Sequence, residues 1–191
     1  GTGPASANSA SVTPYTTPGA PTAVSGVGGN TQVALSWTAG GTGGSVVTDW
    51  VVEYSSDAGV SWTTFDDGTS VSESATVTGL TNGTGYKFRV SVTNVAGTGD
   101  PSTPSELVTP RAKPEAPVSV VGSPGDQQVV VSWSKVELVD NGGSAITGYK
   151  VEYSSDAGET WSTPVTVTAT TFVVPGLTNG TGYVFQVSAT N

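Results

Sequence analysis

The chain has 191 residues and a formal net charge of −9, with Cys 0, Met 0 and His 0. This excludes a thiol nucleophile, a disulfide, a Cys/His metal site and a histidine base. The acidic balance also speaks against a nucleic-acid partner, which needs a basic face. Gly 26 and Pro 12 make about a fifth of the chain turn-formers, and no apolar stretch approaches the roughly 20 residues of a membrane-spanning helix.

In chain order, the first segment is Gly1–Pro18, GTGPASANSASVTPYTTP, with no initiator Met and no basic-then-apolar leader, so a processed or excised chain is expected. It matches Gly97–Pro114, GTGDPSTPSELVTPRAKP, at a constant offset of 96. Residues 1–13 therefore read as the last strand of a repeating unit. Next come seven short strand-like runs: Thr22–Val27, Thr31–Thr38, Val47–Ser55, Ser61–Phe65, Ser74–Thr78, Gly85–Asn94 and Ser102–Thr109. Pro, Gly, Asn and Asp punctuate them, and none has a helical apolar period. Trp50, Val52 and Tyr54 share one face of the third run, and Tyr86, Phe88, Val90 and Val92 share one face of the sixth. Period-two alternation with polar residues opposite is the pattern of half-buried antiparallel strands.

The second half repeats the first. VEYSSDAG begins at Val52 and again at Val151, GLTNGTGY at Gly79 and Gly176, and a Ser-Trp pair ends at Trp37 and Trp133. The offsets of 99, 97 and 96 place the length changes in loops between strands. Asn191 corresponds to Asn94, just before the terminal strand of the first unit. The expectation is permuted boundaries: 1–17 as a terminal strand plus linker, 18–110 as a complete unit, and 111–191 as a unit lacking its last strand.

These motifs together resemble tandem fibronectin type III domains of the bacterial kind. The resemblance rests on the Ala20-Pro21 and Ala116-Pro117 openings, the runs ending in Trp37 and Trp133, and the GLTNGTGY text followed by GTGxPS. It implies an all-β fold of tandem seven-stranded immunoglobulin-like sandwiches with strands A, B, C, C′, E, F and G. It also implies that Tyr86 and Tyr183 form corners, each hydroxyl bonded back to the chain. Trp37 and Trp133 are expected in the core.

Further motifs have structural readings. SSDAGVSW and SSDAGETW fit the Asp-box pattern, physically a hairpin turn. Asp57 and Asp156 would bond backbone N–H groups, Gly59 and Gly158 supply positive φ, and Trp62 and Trp161 pack the hairpin foot. Asn82 and Asn179 head N-x-[ST] sequons, candidate glycosylation acceptors that also suit a turn. Asp66-Asp67 and Asp140-Asn141 read as loop charges rather than a calcium site. GGTGG, residues 40–44, reads as a flexible B–C loop.

An F strand without its G partner leaves an edge that templates pairing with another chain. Ser6, Ser9 and Val12 are candidate residues of a donor strand. Pro14 to Pro21 spans at most roughly 25 Å, so closure within one chain would need a fold-back. The strand comes either from covalent neighbours in a longer array or from the next copy, head to tail. The function expected is non-catalytic: an extracellular or cell-surface spacer, stalk or filament subunit, with a phage virion surface as the other location. Its partners would be copies of itself or adjacent domains, with no cofactor, nucleic acid or membrane insertion. The alternative is an adhesin or carbohydrate-binding module acting through the B–C and F–G loops.

Overall fold

The computed structural model describes residues 1–191. It is all-β and forms two compact units.

The first sandwich holds β1 (Thr22–Gly29), β2 (Gln32–Thr38), β3 (Val47–Ser55), β4 (Thr63–Phe65), β5 (Ser74–Thr78), β6 (Lys87–Asn94) and β7 (Gly97–Thr98). One sheet has the order β1-β2-β5 and the other β4-β3-β6-β7. The period of two in the sequence becomes the core. On β2, Val33, Leu35 and Trp37 are buried while their neighbours are exposed. From the other sheet come Trp50 and Val52 on β3 and Phe88, Val90 and Val92 on β6, all buried. The Trp37 and Trp50 rings meet at 5.5 Å between centroids.

The second sandwich holds β8 (Val121–Gly125), β9 (Gln128–Ser132), β10 (Gly148–Ser154), β11 (Val165–Val167), β12 (Thr171–Pro175) and β13 (Val184–Thr190). Its sheets run β12-β9-β8 and β11-β10-β13. The core gathers Val131, Trp133, Val136, Tyr149, Val151, Val174, Leu177 and Val187. Tyr149 stands where the first copy has Trp50, and its ring meets Trp133 at 5.5 Å. Trp37 and Trp133 are both buried. Their indole N–H groups make no hydrogen bond, a cost that the burial of large rings must exceed.

Residues Gly1–Thr13 are exposed throughout and unpaired within this chain, as an extended segment becomes a strand only when a neighbour takes up its backbone groups. One expectation needs correction: the seventh run, Ser102–Thr109, is not a regular strand. It touches β6 through a single β-bridge between Tyr86 and Val108, and the only ladder beyond β6 is the short β7. Pro101 and Pro104 carry no N–H, so a continuous ladder through this segment cannot form.

Candidate functional site at the outer sheet edges

Strand β6 pairs with β3 on its inner side, with Val52 opposite Val90 and Tyr54 opposite Phe88. Its outer side meets the segment 99–108, in a pattern that is regular without being a β-ladder. The Val92 carbonyl accepts from Gly99 N–H at 2.9 Å, Val90 from Ser102 at 2.9 Å, Phe88 from Ser105 at 2.8 Å and Tyr86 from Val108 at 2.9 Å. The covering segment thus advances three residues for every two of β6.

A strand keeping that pace cannot offer a carbonyl to each N–H of β6. Two serine hydroxyls take the carbonyls' place. Ser105 Oγ accepts the Phe88 N–H at 3.0 Å, and Ser102 Oγ accepts the Val90 N–H at 3.1 Å. Only at Tyr86 does a backbone carbonyl, that of Val108, accept, at 2.8 Å. Both serines are 5% exposed, so neither N–H has water as a substitute. Sequence reading placed a strand here but missed the serines' role. The signal was the Ser-x-x-Ser-x-x-Val spacing at Ser102, Ser105 and Val108, which also occurs at Ser6, Ser9 and Val12.

In the second sandwich β13 is the last strand of its sheet, pairing only with β10. Its side chains show the consequence. Phe88 is 0% exposed, whereas its counterpart Phe185 is only half-buried and Val184 is 42% exposed. A cleft of about 500 Å³ lies along this edge, lined by Gly122, Pro124, Val129, Tyr183, Val184 and Phe185.

The remaining sequence motifs are occupied with their own backbone. Asp57 accepts from the Ser55 and Ser61 hydroxyls and from the N–H groups of Val60 and Ser61, while Ser55 Oγ accepts from the Asp57 and Gly59 N–H groups. Asp156, Ser154 and Thr160 repeat the arrangement. These hydroxyl bonds, led by Ser55 and Ser154, hold both carboxyls well below the usual carboxylate range. The turns use positive φ at Gly59 and Gly158 and also at Ala58 and Ala157. Trp62 and Trp161 lie against those glycines, though Trp161 remains 36% exposed. Over Trp62 sits Arg89, 4.4 Å from the ring centroid and paired in bidentate fashion with Glu53 at 2.8 and 2.9 Å. The second copy has Gln186 there, bonded to Glu152 at 3.0 Å.

Tyr183 closes its corner by accepting the Thr178 N–H at 3.1 Å. The sequon residues act as clamps: Asn82 Oδ1 accepts the Thr31 N–H at 2.8 Å and Asn179 Oδ1 that of Gln127 at 2.9 Å. Each amide nitrogen donates as well, to Asn30 and Asp126 respectively. Asp66 and Asn141 cap local turns through Gly68 and Gly143 N–H groups.

The B–C loop is tied down rather than free. Asn94 donates to the carbonyls of Thr16 and Thr42 at 2.8 and 2.9 Å, and Thr16 N–H donates to Gly43. Asn191 does the same in the second copy, to Ala112 and Asn141. Gly43 and Gly142, at φ of 69° and 71°, press against the Thr16 and Ala112 carbonyls, leaving no room for a Cβ. The repeated Thr-Asn ending at Asn94 and Asn191 was the available signal for this clamp.

Comparison with known proteins agrees with this architecture. The family model for the Fibronectin type III domain matches residues 17–108 and 112–191. The chain belongs to the fibronectin type III family. Among curated proteins, human Myomesin-2 is 36% identical over 61% of this chain and 8% of its own length. Contactin-5 of Danio rerio is 34% identical over 71% of the chain and 13% of its own length. M-protein of striated muscle from Gallus gallus is 32% identical over 84% of the chain and 11% of its own length. The chain thus spans about a tenth of the length of these relatives. The similarity is thus to a segment within much longer proteins.

Proposed function

We propose that this chain is a non-catalytic repeat of an extracellular spacer, stalk or filament, with head-to-tail complementation between units at the edge of β13. The observation that carries the reading is where the polar side chains go. The paired serines, Asp hairpins and Asn clamps all serve the backbone of their own sandwich, and they are duplicated where a structural repeat needs them. The domain limits proposed are 1–17 for the donor segment and linker, 18–110 and 111–191. The bacterial kind and the location outside the cell rest on composition: Cys 0, Met 0, charged residues 11% and pI about 4.1.

Light scattering coupled to size exclusion over a concentration series, with electron micrographs of the same fractions, tests this reading. Growth into head-to-tail fibres supports a filament subunit. A concentration-independent monomer removes filament formation and leaves the spacer.

The second reading is an adhesive module. Exposed apolar residues on the loops favour it, namely Val46 and Val95 in the first copy and Leu138 and Val139 in the second. Saturable binding to a surface glycan or protein, abolished by Val46→Ser with Val95→Ser or by Leu138→Ser with Val139→Ser, would establish it. Binding unchanged by these substitutions would exclude those loops as the contact.

A further inference from the structure

We infer that the outer face of the second sandwich carries an acceptor for an arginine side chain of a partner protein, built from Trp161 and Glu152. The inference goes beyond the spacer, filament and loop-adhesion readings and depends on none of them.

The first sandwich supplies the template. Glu53 on β3 lies directly opposite Arg89 on β6. The guanidinium is held in two ways at once. Its Nε and Nη2 donate to the Glu53 carboxylate at 2.8 and 2.9 Å, and its Cζ lies 4.4 Å from the centre of the Trp62 ring. A planar cation between a carboxylate and an indole face uses its donor fork and its flat surface together, which an ammonium cannot do. The paired side chains are only 27% and 18% exposed, so salt screens them less than an open surface pair.

The second copy keeps both halves of that receptor and lacks the cation. Glu152 on β10 lies opposite Gln186 on β13, in the same register. Trp161 is seated as Trp62 is: a Cβ on Gly158 would lie 3.4 Å from the Trp161 ring, against 3.3 Å for Gly59 and Trp62. Gln186 donates to one Glu152 oxygen at 3.0 Å and puts no charge beside the carboxylate. The chain's one ion pair is Arg89 with Glu53, so Glu152 has no cation partner. Trp62 is half-buried beneath Arg89, whereas the Trp161 ring is 36% exposed. Both acceptor groups sit on the β10–β11 hairpin, inside the sandwich's own sequence.

The surrounding charge agrees. Where the first copy has Lys87 and Arg89, the second has Val184 and Gln186, and where the first has Val60 in the hairpin, the second has Glu159. Lys150, in place of Val51, is the one cation gained; it lies opposite Ser188, one pleat from Glu152. These four exchanges remove two cations, add one and add one anion, so the face has turned from self-neutralised to cation-seeking. The first sandwich cannot serve as a second acceptor, because Arg89 already covers its ring.

The test titrates the isotope-labelled 191-residue chain with acetyl-arginine methylamide, a stand-in for an arginine within a polypeptide, and reads the tryptophan indole N–H signals by NMR. A saturable shift of Trp161 is expected, with Trp62 unmoved. The neutral isostere acetyl-citrulline methylamide should move neither. Gln186→Arg should abolish the Trp161 response by supplying the cation from within, and Arg89→Gln should make Trp62 respond. The signals of the buried Trp37 and Trp133 report that each variant is folded. A Trp161 signal that does not move, an equal response to the citrulline derivative, or a response that survives Gln186→Arg overturns the inference. Free arginine, whose carboxylate would face the acidic hairpin, should act more weakly than the blocked derivative; a stronger effect would make this an amino-acid site and overturn the partner protein as source. A methyl hexoside that moves Trp161 where the arginine derivative does not would assign the ring to a sugar instead.

Discussion

The outer edges of β6 and β13 begin from nearly the same text, GYKFRVSVTN and GYVFQVSATN. One is covered by Ser102–Val108 and has Phe88 and Val90 sealed at 0% exposed; the other ends its sheet with Phe185 half-buried. The difference teaches that burial of this strand depends less on its own sequence than on what lies beside it. Here that neighbour is a segment that replaces strand carbonyls with serine hydroxyls.

The largest effect expected from breaking the comparison is in the ring pair. Phe88→Ala should cost the first sandwich about 3–5 kcal/mol, as for a fully buried aromatic. Phe185→Ala should cost the second sandwich clearly less. Denaturant unfolding followed through Trp37 and Trp133 fluorescence separates the two transitions, and equal losses would mean the edges are energetically equivalent. Next in size is Ser102→Ala with Ser105→Ala. Leaving two buried N–H groups without acceptors costs about 1–3 kcal/mol each. The loss should fall on the first sandwich alone and speed exchange of the Phe88 and Val90 amides toward the rates at Phe185 and Val187.

A smaller difference is predicted for the charged face. Arg89→Gln removes the Glu53 pair and the ring contact, and should cost about 1 kcal/mol. Gln186→Arg should recover a similar amount in the second sandwich beside Glu152 and Trp161. If both changes are silent in thermal unfolding, the difference at this site is only cosmetic.

The smallest effect is shared by the two copies and serves as the control. Asp57 and Asp156 are both held below their ordinary value of 3.8 when folded. The folded chain therefore binds fewer protons than the unfolded chain near that pH. The stabilisation is complete above about pH 4 and is lost as pH falls from there toward the lower folded value. Asp57→Asn and Asp156→Asn should each remove a similar part of the acid slope in unfolding between about pH 2 and pH 5. An acid slope unchanged by either substitution would show that the hairpin carboxyls are not its source.

Much of this was legible in the sequence because it depends on local chemistry or on alternation. Asp57 with Gly59 states a hairpin, since both act within a few residues. Val33, Leu35 and Trp37 state an inward face, since side chains alternate along any strand. The third and fifth runs, Val47–Ser55 and Ser74–Thr78, have the limits expected of them. The corner at Tyr183 came from resemblance and reaches only to Thr178. Asn94 and Ser105 were not legible as clamps, because a polar residue in a turn-rich text looks the same whether it faces water or a carbonyl from a distant loop.

The sequence by itself determined the repeat, the all-β class, the hairpin chemistry and the residues that face inward. Each follows from covalent spacing and the pleat. Only the tertiary structure decided that residues 99–108 cover β6 by threes against twos and that serine hydroxyls serve as acceptors there. Those outcomes depend on which backbone groups meet across the fold, and a hydrogen-bond partner far along the chain leaves no period in the sequence to announce it.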